Sequence, residues 1–176
     1  MIQLHDKQFV PFISAAEIDF AIAEMARQVE ADFADKVPVF VGVLNGAFMV
    51  VSDFMKHYTK PCEVSFIKMA SYEGMETTHE VKQLIGLNQD LTGRTVIVIE
   101  DIVDTGNTLE ELKAMFKKQN VKHFKIATLF LKPEAYKKDI KLDYVGIRIP
   151  NKFIVGFGLD YDGHGRNLPE VYQLAD

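Results

Sequence analysis

Three carboxylates fall within five positions at Glu100, Asp101 and Asp104, and Thr105-Gly106-Asn107-Thr108 follow at once. Like charges this close repel one another, by roughly 1 kcal/mol per pair at 4 Å in water and more where water is excluded. A fold gains nothing obvious from such crowding, so a group rich in positive charge or hydroxyl donors is expected there. The residues that follow suit an anion. Gly106 permits a tight turn, Thr105 and Thr108 bring hydroxyls, and a helix starting here points its unpaired amides outward, which together make a phosphate cradle. Carboxylates on one side and a phosphate cradle on the other fit a sugar phosphate, the acids taking ribose hydroxyls and a metal ion. The plainer alternative is an acidic loop that merely caps a helix.

Other chemistries fit less well. Asp104-Thr105-Gly106 also occurs in aspartic proteases, but those need two aspartates sharing a proton in an all-β fold, and this chain has one copy ahead of a helix. Neither G-x-x-x-x-G-K-[ST] nor G-x-G-x-x-G is present. His79 and His164 lack partner ligands at metal spacing and read as loop residues. Cys62 is the one cysteine, so no internal disulfide forms, and the alternation of "CEVSFI" reads as a strand holding a buried thiol.

The elements that must position these residues alternate along the chain. Ser14 to Glu17 is a capping-box pattern, followed by Ile18, Ile22, Met25 and Val29 at helical spacing. "VPVFVGVL" (37–44) reads as a strand, "AFMVVSDFMKHY" as a helix and "CEVSFIKMAS" as a strand. "SYEGMETTHE" reads as a long mobile loop, and "VKQLIGL" and "VIVIE" as strands on either side of the turn "DLTGRT". Thr108 and Glu111 suggest a second capping box, opening a helix to about Lys118. "HFKIATLFLK", "DYVGIRI" and "FIVGFG" are expected to continue the sheet. Strands alternating with helices imply a parallel α/β core. In such a sheet ligands bind outside the carboxyl ends of the strands, where Glu100 and Asp101 are expected to end the strand Val96–Ile99 and to point to opposite faces.

A length of 176 residues suits one domain, 1–176, with a sizeable core. The net charge of −5 argues against a nucleic-acid or anionic-membrane surface. The N-terminus lacks the basic start and apolar core of a signal peptide, and no apolar run reaches membrane-spanning length, so a cytoplasmic protein is expected.

The segment "VIVIEDIVDTGNTL" resembles the phosphoribosyl-pyrophosphate signature of the type I phosphoribosyltransferases. More narrowly, the chain is similar to hypoxanthine-guanine phosphoribosyltransferases of bacterial type. Further segments match in order: "VPVFVGVLNGAF", "KMASY", "GLNQDLTGR", "LFLKPE", "VGIRIPNKFIVGFGLDY", Arg166 and "LPEVYQL". The resemblance implies a central, mainly parallel sheet flanked by helices with a small hood subdomain. The implied reaction moves ribose 5-phosphate from phosphoribosyl pyrophosphate to N9 of a 6-oxopurine with Mg²⁺, in a homodimer or homotetramer.

It also implies roles for residues. Glu100 and Asp101 would hold the ribose 2- and 3-hydroxyls and help order Mg²⁺, and Asp104 would take the purine N7 proton. Thr105, Gly106, Asn107 and Thr108 would bind the 5-phosphate. Leu44, Asn45 and Gly46 match the pyrophosphate loop, whose Leu–X peptide is cis in relatives; mammalian relatives carry lysine where this chain has Asn45. Ser71 and Tyr72 begin the loop that closes over the reacting centre and excludes water. Lys132, Phe153 and the backbone at Ile154 would form the purine site, Asp160 would lie near a second Mg²⁺, and Arg166 would contact pyrophosphate. Two alternatives stay open: a xanthine-preferring enzyme, and a nucleotide-sensing regulator on the same fold. The acidic balance, the presence of Asp104 and the lack of an appended DNA-binding module weigh against the regulator.

Overall fold

The computed structural model describes residues 1–70, 82–85, 87 and 89–175. In chain order the first elements are β1 (Ile2–Leu4), β2 (Lys7–Ile13), α1 (Ala15–Asp32), β3 (Val39–Leu44), α2 (Phe48–His57), β4 (Glu63–Ala70) and β5 (Lys82–Ile85). After them come β6 (Thr95–Val103), α3 (Asn107–Lys118), β7 (His123–Leu131), β8 (Tyr144–Arg148), β9 (Ile154–Val155) and β10 (Val171–Leu174). The larger sheet has the order β5-β4-β3-β6-β7-β8. Its strands run parallel except β5, which is antiparallel to β4.

Alternation along the strands decides which side each helix covers. Phe40, Ile97, Ile99 and Ala127 pack with Ile18, Ile22 and Met25 of α1 and Val51 and Phe54 of α2. Their neighbours Val39, Val41, Val96, Val98 and Ile126 face the other way and pack with Leu109, Leu112 and Phe116 of α3. Each such buried side chain contributes about 1.5–3 kcal/mol relative to exposure, which gives the sheet the reserve to hold unfavourable charge at its end. The start of α1 forms as its sequence dictates: Ser14 Oγ accepts from the Glu17 amide at 3.3 Å, and the Glu17 carboxylate accepts from the Ser14 amide at 2.9 Å.

The alternation reverses at the acid pair. β6 does not end at Ile99 but runs to Val103, paired with β7 as Glu100↔Thr128 and Val103↔Leu131. Beyond the acids, Ile102 packs toward the α1–α2 side and Val103 toward the α3 side, the opposite of what the parity of Val96–Ile99 gives. On β7 the Thr128 hydroxyl donates to the Phe130 carbonyl at 2.8 Å, at the matching level. This local reversal, rather than a strand end with acids on opposite faces, brings Glu100 and Asp101 to one cavity.

Two further expectations change. The Thr108–Glu111 capping box does not form. The backbone enters α3 through Gly106 at φ +85° with no side-chain cap, which puts Thr108 inside the first turn, past the capping position. "FIVGFG" does not continue the large sheet. Its strand β9 belongs to a second, antiparallel sheet of order β1-β2-β10-β9, which joins the two ends of the chain and supplies the hood. Cys62 lies one residue ahead of β4, half-buried, with its Sγ 3.9 Å from Met55 Sδ; burial raises the thiol above its usual range.

Candidate active site

A cavity of about 450 Å³ opens at the carboxyl ends of β3 and β6. Glu100, Asp101, Asp104, Thr105, Gly106, Asn107 and Thr108 line it, with Leu44 and Gly46 across from them. Sequence neighbours thus form one wall, and the loop after β3 forms the facing one. The Leu44–Asn45 peptide is cis. Asn45 does not line the cavity.

The acids have different surroundings. Glu100 is 6% exposed, and its carboxylate accepts no hydrogen bond among the described residues. Burial, then the neighbouring Asp101 charge, pushes it well above the ordinary carboxylate range. Burial raises Asp101 to about 6, opposed by the Ile102 amide, which donates to its Oδ1 at 2.9 Å, and by the positive charge of Arg166. A Cβ added at Gly46 would fall inside the Asp101 carboxylate, and one added at Gly158 would fall on the Gly46 carbonyl oxygen. Glycine at both positions lets the loop after β3 sit between the large sheet and the hood.

This pair makes a stability prediction. Between the unfolded aspartate value near 3.9 and the native value of about 6, the native state holds more protons than the unfolded chain. Stability therefore falls as pH rises through that window, and the full deficit persists above it. Ligand-free Asp101→Asn protein is expected to be more stable than the parent by about 1–3 kcal/mol at pH 8, with the gain shrinking toward pH 4. Denaturant unfolding at the two pH values measures this, and an Asn variant weaker at both would show that the carboxylate is not the strained group.

Asp104 and Lys132 are the other coupled pair. Lys132 follows β7 directly, its amide donating to the Val103 carbonyl at 3.0 Å. Its side chain is buried, and Nζ donates to Asp104 Oδ2 at 2.8 Å, although the Asp104 side chain stays 45% exposed. Lys132 does not line the 450 Å³ cavity but reaches its rim through this bond. Beneath the cradle, Gly106 rests on Tyr136: an added Cβ would lie 2.5 Å from the ring. The Tyr136 hydroxyl is fixed by donation to the Ile140 carbonyl at 2.6 Å.

The hood carries the remaining candidates. Phe153 is 44% exposed just before β9, whereas Ile154 is buried. Arg166 donates to the Gly158 carbonyl at 2.6 Å and pairs with Asp160 at 2.7 Å, while the other Asp160 oxygen accepts from the Gly163 amide at 2.7 Å. These residues stand outside the cavity wall, but the charges of Arg166 and Asp160 both act on Asp101. Ser71 and Tyr72 lie outside the described residues. Sequence reading missed Glu111, which lines the cavity one helical turn into α3, and the Gly46–Gly158 approach, signalled only by the glycine spacing of "GFGLDYDGHG".

Acids and a glycine-containing turn into a helix, set together at the carboxyl end of a parallel sheet, are the arrangement of a known class. A sequence model of the phosphoribosyl transferase domain matches residues 14–162, and the chain belongs to this family. The chain is 45% identical over 164 residues to the hypoxanthine-guanine phosphoribosyltransferase of Streptococcus agalactiae, covering 93% of this chain and 91% of the relative. It is 47% identical over 154 residues to the enzyme of that name from Streptococcus thermophilus, covering 87% and 86%. A crystal structure of a Bacillus anthracis hypoxanthine-guanine phosphoribosyltransferase superposes with a TM-score of 0.89 at 37% identity, covering 97% of this chain and 100% of that one.

Proposed function

We propose that this chain is a purine-salvage hypoxanthine-guanine phosphoribosyltransferase that converts hypoxanthine to IMP and guanine to GMP. One observation carries the reading: the Thr105-Gly106-Asn107-Thr108 turn into α3 and the Glu100–Asp101 pair line one cavity, and a lysine–aspartate pair stands at its rim. The C1–N9 bond forms as the C1–oxygen bond to pyrophosphate breaks, and the proton on purine N7 passes to Asp104. Glu100 and Asp101 accept from the ribose hydroxyls, while Thr105 to Thr108 hold the 5-phosphate through amides and hydroxyls. Leu44, Asn45 and Gly46 meet the pyrophosphate through backbone groups, with Arg166 supplying charge. Lys132 donates to purine O6, Phe153 stacks on the ring, and Ile154 offers its backbone to the base edge. Ser71 and Tyr72 are assigned to closure of the site.

Mg²⁺ fits the donors present. Among the described residues no cluster of three or more metal-ligating side chains assembles. Mg²⁺ uses one or two carboxylates together with substrate phosphates and water. Glu100 and Asp101 would hold it, with Asp160 near a second ion, and the unpartnered, buried Glu100 is the feature that a cation would relieve. When bound, the ion neutralises the charge developing on pyrophosphate. Turnover is expected to vanish in excess chelator and return with added Mg²⁺; full activity without a divalent ion would refute the role. No described helix is long and apolar enough to cross a membrane; a cytoplasmic homodimer or homotetramer is the proposed setting.

The deciding experiment is turnover of hypoxanthine, guanine, xanthine and adenine with phosphoribosyl pyrophosphate. Dominant xanthine use would shift the assignment to a xanthine enzyme, and no turnover of any purine would favour a nucleotide-sensing protein. Because Phe153 is half exposed, Phe153→Ala is expected to leave folding intact while weakening purine binding by about 1–3 kcal/mol, the scale of one base–aromatic stack. Unchanged KM for hypoxanthine would remove the ring from the site.

A further inference from the structure

The two-residue turn His5-Asp6, which joins β1 to β2, meets a second turn at 161–164 tip to tip. The Tyr161 hydroxyl donates to Asp6 Oδ1 at 2.8 Å. The His5 ring lies 4.2 Å from that of His164, and its Nε2 is 3.3 Å from the Asp162 carbonyl oxygen. Next in the chain, Lys7 is partly buried, yet its ammonium makes no ion pair among the described residues. Two aromatic rings hold it instead: Nζ is 4.7 Å from the Tyr161 centroid and 5.8 Å from that of Phe153. Phe153 also meets Tyr161 edge-on at 5.9 Å and 86°, and the fully buried Phe9 at 6.2 Å.

A ring that stacks on a flat base must present one orientation. The χ2 torsion of phenylalanine is broad and gives no such preference by itself. An unbraced ring would be ordered only on binding, at a cost to affinity. Here the ring has neighbours that can fix its orientation from outside: a cation 5.8 Å from its centroid and the perpendicular Tyr161 ring, whose hydroxyl donates to Asp6. None of these groups lines the cavity.

We propose that Lys7 is a positioning residue of the purine site, bracing Phe153 together with Tyr161 and Asp6. This rests on the reading of Phe153 as the purine platform. The N-terminal hairpin thereby takes part in base recognition without touching the reacting atoms.

The test is steady-state kinetics of the full chain as Lys7→Met, Lys7→Arg and Tyr161→Phe, varying hypoxanthine and phosphoribosyl pyrophosphate separately. Lys7→Met is expected to raise KM for hypoxanthine about two- to fivefold, the size of one exposed cation–π contact. The kcat and the KM for phosphoribosyl pyrophosphate should stay at parental values. Lys7→Arg keeps the cation and should restore parental KM, while Tyr161→Phe, which frees the tyrosine from Asp6, should raise hypoxanthine KM alone. Equal changes in both KM values, or a lowered melting temperature with loss of kcat, would make Lys7 a merely structural residue and overturn the proposal. So would an unchanged hypoxanthine KM in Lys7→Met. A parent protein that does not turn over hypoxanthine would fail the proposed function itself, whereas an active parent with an indifferent Lys7→Met would fail only the brace.

Discussion

Asp104→Asn is expected to lower kcat by about 10²–10⁴-fold, the range of general acid–base catalysis, while phosphoribosyl pyrophosphate still binds. The carboxylate stands at the end of β6 with one oxygen bonded to Lys132 and the side chain 45% exposed, so a purine can reach it. The proposed cradle comprises Gly106, the two threonines and the amides at the start of α3, none of which needs the Asp104 carboxylate. Asparagine keeps the shape and can still accept from Lys132 through its amide oxygen, but it does not take up the N7 proton at neutral pH. An interaction made only in the transition state shows as a loss in kcat at saturating substrate with binding retained. Parental kcat in the variant would end the assignment of Asp104 as proton acceptor.

Discrimination against adenine carries the other large expected effect. An ammonium has donors only. Lys132 can bond the O6 acceptor of hypoxanthine or guanine, but at a 6-amino group donor meets donor. Sites that hydrogen-bond a substrate group reject the analogue lacking it by about 10⁴–10⁵-fold, so kcat/KM for adenine should fall below that for hypoxanthine by a factor of that order. Lys132→Ala is expected to lower hypoxanthine kcat/KM by about 1.5–3 kcal/mol, the worth of a hydrogen bond to a charged group. The ion pair separates two explanations. If Lys132 acts only by holding Asp104, its loss depresses kcat for every purine alike; if it reads O6, the penalty is specific to 6-oxopurines. Efficient adenine turnover by the parent would refute base reading by Lys132.

Much of the site was legible because its residues are contiguous. The run from Val96 to Thr108 contains the strand, the acids and the cradle, and local chemistry alone points to a sugar phosphate. The α1 capping box was legible for the same reason, since it closes over three residues. What escaped depends on distance or on short, polar strands. β1 and β2 are interrupted by His5-Asp6, and β9 is two residues long, so neither gives a clear period-2 signal. The pleat reversal at Glu100–Asp101 follows from pairing with β7, which the local pattern does not encode. The Thr108–Glu111 box matched a motif but failed because the left-handed Gly106 starts the helix two residues earlier than that box requires. The Asp104–Lys132 bond joins positions 28 residues apart, and only the parallel pairing of β6 with β7 brings them together.

The contact between Gly46 and Asp101 has a thermodynamic consequence. The Gly46 backbone lies against the carboxylate on one side and Gly158 against the Gly46 carbonyl on the other, with no room for a side chain at either glycine. Under the proposed assignment, with ribose at Asp101 and pyrophosphate at the loop after β3, the two ligands would bind on either side of this contact. Linkage makes the influence reciprocal: whatever factor occupancy of one end imposes on the affinity of the other is returned unchanged in the opposite direction. Pyrophosphate affinity measured with and without a bound nucleoside monophosphate, and nucleotide affinity measured with and without pyrophosphate, must therefore differ by one common ratio. Repeating both measurements with Asp101→Asn shows how much of that ratio passes through the Gly46–Asp101 contact.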